Sequence, residues 1–339
     1  MMKYKLLGKS GLKVSELCLG TMGFGEEWGW GANKEVSFKI LEAFTDAGGN
    51  FIDTANRYTE GTSERIIGEF MMRDRDHFVL ATKYSLHDNM TNVNASGNSR
   101  KNMMRSVEES LKRLNTDFID LFYLHIWDSL TPIEEVMRGL DDLVSQGKVN
   151  YIGISDTPAW IVSRANTLAE GLGWNKFVAL QVEYSLLQRT PERELTPMAQ
   201  FYDMTVTPWA PLAGGALTGK YLRGDQGRLK EGSSRLNAHS TAITKEVVKI
   251  SDETGTSAAN IALRWTMQRE FSSIPIVGAT KLEQLQENLK VADVFLTKDQ
   301  IDRLDEVSKI NLGFPGEFFK EEGVKMVTYG GFYDKIVKP

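Results

Sequence analysis

The chain has 339 residues, with 41% hydrophobic and 25% charged side chains and a formal net charge of -5, the balance of a globular chain long enough to bury a large core. Mild acidity with scattered Lys and Arg excludes a polybasic nucleic-acid or membrane surface, and no run reaches the roughly 18 apolar residues that span a bilayer. One cysteine, Cys18, and four scattered histidines, His77, His87, His125 and His239, exclude a disulfide framework and argue against a metal site. No apolar run follows Lys3, Lys5 and Lys9, so no secretion signal is expected and a cytoplasmic location is.

Along the chain, Tyr4–Leu7 and Leu12–Val14 flank Gly8-Lys9-Ser10-Gly11 and read as a hairpin, with Gly8 and Gly11 supplying the turn. A regular alternation follows. Short β-branched or aromatic runs end near Thr21, Asp53, Lys83, His125, Ser155, Glu183, Trp209 and Gly278. Helical periodicity fills the intervals, over Asn33–Ala47, Ser63–Met72, Lys101–Leu114, Pro132–Gln146, Pro158–Ala169, Pro191–Tyr202, Ser257–Arg269 and Lys281–Val291. Thr131-Pro132, Thr157-Pro158 and Thr190-Pro191 each offer a capping hydroxyl before a proline at the first helical position.

Eight strand–helix pairs predict a single α/β domain over residues 1–339, a closed (β/α)8 TIM barrel with an N-terminal β-hairpin. An open doubly wound sheet is the alternative, disfavoured because no Gly-rich turn follows the first strand. A long loop after the seventh strand runs from Leu212 to about Thr244, a length usual for a functional loop. After a last helix, Lys298–Val307, the C-terminal aromatic tail carries Phe314, Phe318, Phe319, Tyr329, Phe332 and Tyr333, and is expected to pack across the barrel mouth.

Barrel active sites sit at the C-terminal strand ends. Asp53, Lys83 and His125 end successive strands, and Tyr58 follows Asp53 by five residues. An ammonium beside a phenol favours the phenolate and lowers its pKa, and a carboxylate keeps that ammonium charged. A histidine at the next strand end can hydrogen-bond a substrate oxygen. The set reads as a general acid aimed at an oxygen that becomes an alkoxide. None of these residues is a hydride source, so a reduction needs a cofactor.

The segments LCLGTMGFG (17–25), NFIDTANRY (50–58), ATKY (81–84), LFYLHIWD (121–128), LQVEYSLL (180–187), TPWAPLAGGALTGKY (207–221) and GATKLEQLQEN (278–288) together resemble the aldo-keto reductase superfamily over nearly the whole chain. The resemblance implies reversible, NADPH/NADP+-dependent reduction of a small-molecule aldehyde or ketone, on a barrel without a Rossmann fold. It implies the tetrad Asp53, Tyr58, Lys83 and His125, with Tyr58 as proton donor, Lys83 and Asp53 tuning it, and His125 orienting the carbonyl. It implies cofactor contacts at Thr21, Met22, Asp53, Ser155, Gln181, Trp209, Leu212, Gly214, Lys220, Ser234, Arg235, Gly278, Thr280, Gln284, Glu287 and Asn288. Gly278-Ala279 with Gln284 follows the bacterial-type branch, similar to aryl-alcohol dehydrogenase-like members and potassium-channel β-subunits. Asp156 departs from the Asn or Arg common after the fifth-strand serine. Where many members carry a Lys-Ser pair and an Arg near the 2′-phosphate, this chain has Gly278-Ala279 and Gln284, so NADPH preference rests mainly on Arg235, with Lys281 as a further cation.

Phe24, Trp28, Trp30 and Trp127 are expected to wall an apolar substrate pocket, against the alternative of loop packing. Gly214 to Lys220 is nearly a P-loop, but Tyr221 stands where a Ser or Thr would hold magnesium. Two other functions fit some of these residues: a cofactor-sensing partner subunit, and a lyase using Lys83 as a Schiff base. His125 argues against the first, since that branch tends to lose this histidine, and the cofactor motifs argue against the second. The sequence sets no oligomeric state.

Overall fold

A computed structural model of the chain describes residues 2–230 and 232–337. Strands β1 (Tyr4–Leu6) and β2 (Lys13–Ser15) form the antiparallel hairpin. Its turn needs Gly8 alone: φ is +54°, and a Cβ there would lie 2.2 Å from the Val178 carbonyl oxygen, whereas Gly11 faces open space. The hairpin plugs the N-terminal end of the barrel. Leu7 and Val14 join Cys18, Phe51, Ala81, Leu121, Tyr123, Ala179 and Ile276 in its interior core.

The barrel runs β3 (Cys18–Gly20), α1 (Lys34–Asp46), β4 (Phe51–Asp53), α2 (Thr62–Met71), β5 (Val79–Tyr84), α3 (Arg100–Leu114), β6 (Ile119–Leu124), α4 (Ile133–Ser145), β7 (Val149–Ser155), α5 (Ala159–Leu172), β8 (Phe177–Glu183), α6 (Leu195–Phe201), β9 (Thr205–Trp209), α7 (Ala238–Thr254), α8 (Ala258–Met267), β10 (Ile276–Gly278) and α9 (Leu282–Leu289), followed by α10 (Lys298–Val307) and α11 (Glu322–Tyr329). The eight parallel strands lie in the order β10-β3-β4-β5-β6-β7-β8-β9. Closure comes just before β10, where the Val206 amide donates to the Ser272 carbonyl at 2.9 Å and the Ile274 amide to the Val206 carbonyl at 2.9 Å.

Strand parity decides which side chains reach the active end. Successive residues alternate between the barrel interior and the helical layer. In β5, Val79 and Ala81 belong to the interior core, while Leu80 and Tyr84 pack among residues of the surrounding helices. Lys83 therefore continues the inward row. The same count carries Phe51 to Asp53, Tyr123 to His125, Ala179 to Gln181, and Gly153 to Ser155. Gly153 admits the Tyr123 ring, whose Cε1 would stand 2.4 Å from any Cβ placed there.

Four expectations are corrected. The long loop ends at Asn237, not near Thr244, because Asn237 and Ser240 form a capping box that starts the 17-residue α7. The threonines before proline are not helix caps. Pro132 and Pro158 themselves occupy the cap positions, Thr131 Oγ1 donates to Asp128 Oδ2 at 2.8 Å, and Thr157 Oγ1 to the Ser155 carbonyl at 2.7 Å. Residues 191–202 divide into a 3-10 turn, Thr190–Arg193, and the short α6. The tail does not lie across the mouth as a packed cover. Phe314, Phe318, Phe319, Tyr329 and Phe332 are exposed, and the ring contacts of Phe314, Phe318, Phe319 and Tyr329 stay within the tail. Among the described residues no helix is long and apolar enough to cross a membrane, and no cluster of His, Cys, Asp and Glu is placed to hold a metal.

Candidate active site

At the C-terminal end of β5 the Lys83 ammonium is completely buried. It donates to Asp53 Oδ1 at 2.6 Å, to the Thr54 carbonyl at 2.7 Å and to Tyr58 Oη at 3.2 Å. Its three N–H bonds are thereby all engaged. Asp53 is held from the other side by Gln181 Nε2, 3.0 Å from Oδ2. Burial works against the Lys83 charge, but Asp53 and Tyr58 together hold its pKa above the ordinary value. Sequence reasoning missed Thr54, which acts through a carbonyl and leaves no side-chain signal.

Tyr58 lies under three neighbours. The Lys83 Nζ is 4.8 Å from its ring centre, the Trp28 ring meets it edge-on at 6.5 Å, and His125 meets it edge-on at 5.9 Å. Burial pushes the Tyr58 hydroxyl above its ordinary pKa, and Lys83 opposes this without overcoming it. The expected lowering by Lys83 is thus outweighed by desolvation, and the phenol is protonated at neutral pH. His125 is tied by its backbone amide to the Tyr84 carbonyl and to Ser85 Oγ, at 3.0 and 3.2 Å. Its buried Nδ1 has no protein partner. Burial, aided by Lys83, holds its pKa well below the usual histidine range, so the imidazole is neutral.

Beside this group, at the ends of β7, β8 and β9, stand Ser155, Gln181 and Trp209. Ser155 Oγ is buried without a hydrogen-bond partner, an open valence that a bound amide would fill. Trp209 Nε1 donates to Asp156 Oδ1 at 3.1 Å. Crowding at the rim strips water from the Asp156 carboxyl and pushes its pKa up, against that hydrogen bond.

The remaining expected cofactor residues fall into two groups. Around the long loop, Gly214 and Gly215 have φ of +68° and +90°, and Lys220 Nζ lies 5.0 Å over the Tyr221 ring. Leu212 is partly buried between the two outer cores. Ser234 and Arg235 line a cavity of about 430 Å³ together with Glu183 and His239, and Arg235 is already ion-paired to Glu183. At the start of α9, Gln284 Oε1 accepts from the Thr280 amide at 3.0 Å. Glu287 accepts from Asn260 and Lys290, Asn288 is buried, and Gly278 is exposed at the end of β10. Thr21 is fully buried with its hydroxyl spent on the Asp53 carbonyl at 2.9 Å and on Ser63, so it braces β3 against β4, and Met22 follows it half-buried.

The aromatic wall is revised. Phe24 is fully buried among Leu17, Leu19, Phe44 and Ile67, in the core between barrel and helices, and leaves no exposed surface for a substrate. Trp28 faces Tyr58 and is fixed by Nε1 donating to Glu60 Oε1 at 3.1 Å. Trp30 meets Trp28 at 6.0 Å with the rings tilted by 45°, and carries the Arg228 guanidinium 4.7 Å above its ring. That cation links the long loop to the loop after β3, a contact absent from the sequence pattern. Trp127 is packed partly against the main core.

The aldo/keto reductase family model matches residues 16–309. An aryl-alcohol dehydrogenase [NADP(+)] of Phanerodontia chrysosporium is 40% identical, covering 96% of this chain and 91% of the relative. A norsolorinic acid reductase of Aspergillus flavus is 37% identical over 93% of this chain and 83% of its own. A putative aryl-alcohol dehydrogenase of Saccharomyces cerevisiae is 37% identical over 92% and 88%. These relatives do not confirm the bacterial-type branch.

Proposed function

The chain belongs to the aldo/keto reductase family, and from that premise we propose that it reduces aldehydes or ketones to alcohols with NADPH, reversibly, using Tyr58, Lys83, Asp53 and His125. The observation that carries the assignment of residues is the buried Asp53–Lys83–Tyr58 chain, 2.6 and 3.2 Å in its two links, with a neutral His125 beside it. The name of the Phanerodontia chrysosporium relative supports the choice of NADP.

Tyr58, protonated at neutral pH, donates its hydrogen to the carbonyl oxygen as negative charge develops there. Lys83 stabilises the phenolate left behind, and Asp53 keeps the ammonium charged and aimed. His125 presents a neutral imidazole to the same oxygen and fixes the carbonyl's direction. Trp28 offers an aromatic face beside Tyr58 for an aromatic carbonyl, with Trp30 behind it.

Bound NADPH would supply the hydride. Ser155, with its unpartnered hydroxyl, and Gln181 would hold the carboxamide, and Trp209 would stack on the ring. Lys220 and the Gly214 loop would meet the pyrophosphate. Arg235, once shared with Glu183, and Ser234 would meet the 2′-phosphate, leaving Gly278, Thr280, Gln284, Glu287 and Asn288 for the adenosine. The test is Tyr58→Phe. Carbonyl-dependent NADPH oxidation should fall by at least about a hundredfold, the scale of one general acid, while NADPH affinity stays within twofold. A variant as active as the parent would remove Tyr58 from the mechanism.

A further inference from the structure

Three carboxylates that close or follow strands β4, β7 and β8 are answered differently. Asp53 meets the Lys83 ammonium, and Glu183 meets Arg235. Asp156 makes no ion pair among the described residues, and its one side-chain partner is the neutral indole N–H of Trp209. It is nevertheless within electrostatic reach of the reacting groups, since its charge raises the Tyr58 pKa and the Lys83 charge lowers its own.

The position does not need an aspartate for its shape. Asp156 has φ of +40°, a left-handed conformation that Asn adopts as readily as Asp. An asparagine could also accept from Trp209 Nε1. The charge is what an amide there would lack. The neighbours of that charge are Ser155 with its empty hydroxyl valence and Trp209, the residues read above as the nicotinamide seat.

We propose that Asp156 is a redox-state selector, whose unpaired carboxylate favours the cationic, oxidised nicotinamide over the neutral, reduced one. The inference rests on the NADP(H) reading of the site. The two cofactor forms differ at the ring by one positive charge and one hydride, so a fixed anion there binds them unequally. A site can shift an equilibrium only by such a difference. By the same linkage, the carboxylate favours the state reached after a hydride has left C4 with its electron pair for the carbonyl carbon and Tyr58 has given its proton to the oxygen. Asp156 would then assist the reductive direction and hold the oxidised product cofactor longer.

The experiment compares dissociation constants of NADP+ and NADPH, by calorimetry or fluorescence titration of the full chain, in the parent, Asp156→Asn, Asp156→Ser and Trp209→Phe. The ratio Kd(NADPH)/Kd(NADP+) should fall at least fivefold in both Asp156 variants and shrink further from the parent value at high salt in none of them, because the anion is gone. Trp209→Phe should weaken both forms together and keep the parent ratio. A ratio unchanged within twofold in Asp156→Asn, or both affinities falling in parallel, would show that Asp156 merely holds Trp209 and would overturn the proposal. If the parent binds neither form, the cofactor reading itself falls and this inference with it.

Discussion

Replacing Asp53 by Asn removes a charge from the most buried ion pair among the described residues while keeping its shape. Lys83 is fully buried and Asp53 nearly so, with Nζ and Oδ1 2.6 Å apart. Stripping one partner from a buried pair costs about 3–5 kcal/mol. The low end applies because the Thr54 carbonyl, Tyr58 Oη and the new amide oxygen still accept from the ammonium. Losing the carboxylate removes the main influence that holds the Lys83 pKa above its ordinary value, so Lys83 titrates at a lower pH in the variant than in the parent. The penalty is full where Lys83 is charged in both proteins, and fades as pH rises and the ammonium loses its proton. The unfolding entropy of a chain of 339 residues implies a Tm shift of roughly 1.4 °C per kcal/mol. Differential scanning calorimetry should show the variant lower by about 4 °C at pH 7, and closer to the parent near pH 10. An equal gap at both pH values, or none at pH 7, would refute the claim that Lys83 is charged because Asp53 is.

His125, whose folded pKa is depressed, contributes stability that is present above about pH 6.5 and is lost as pH falls below it. The Tm of His125→Gln should therefore fall less between pH 7 and pH 5 than that of the parent. Arg235→Gln should weaken NADPH binding by about tenfold, the worth of one charge-assisted hydrogen bond to phosphate, with NADH affinity unchanged in parallel titrations. Gly8→Ala should cost at least about 2 kcal/mol, read as a lowered denaturant midpoint, because it combines a left-handed backbone with a clash against the Val178 carbonyl oxygen.

The barrel was legible because most of its strands announce themselves twice, by a β-branched or aromatic run and by a polar residue at the close. Asp53, Lys83 and Gln181 continue inward rows whose earlier members, Phe51, Ala81 and Ala179, are apolar. Helix α10 was readable to its ends because Thr297 and Gln300 form an ordinary capping box. Helix α7 was not, since its box uses Asn237 and Ser240 inside a stretch rich in Gly, Ser and Arg. Phe24 was placed in a pocket because it sits in a loop, yet it is the loop's anchor in the core. The Tyr58 pKa went the other way from its neighbour-based reading because sequence names the adjacent charge and cannot weigh desolvation. Arg228 over Trp30 joins residues about two hundred positions apart through an irregular loop, which no periodicity encodes.

The central claim is tested most directly by following NADPH oxidation at 340 nm with aromatic aldehydes, 4-nitrobenzaldehyde among them, and with NADH in parallel. The account predicts turnover with NADPH, abolished in Tyr58→Phe and weaker with NADH. NADPH that binds and quenches tryptophan fluorescence, yet is never oxidised by any carbonyl offered, would contradict the reductase reading and favour a cofactor-sensing protein.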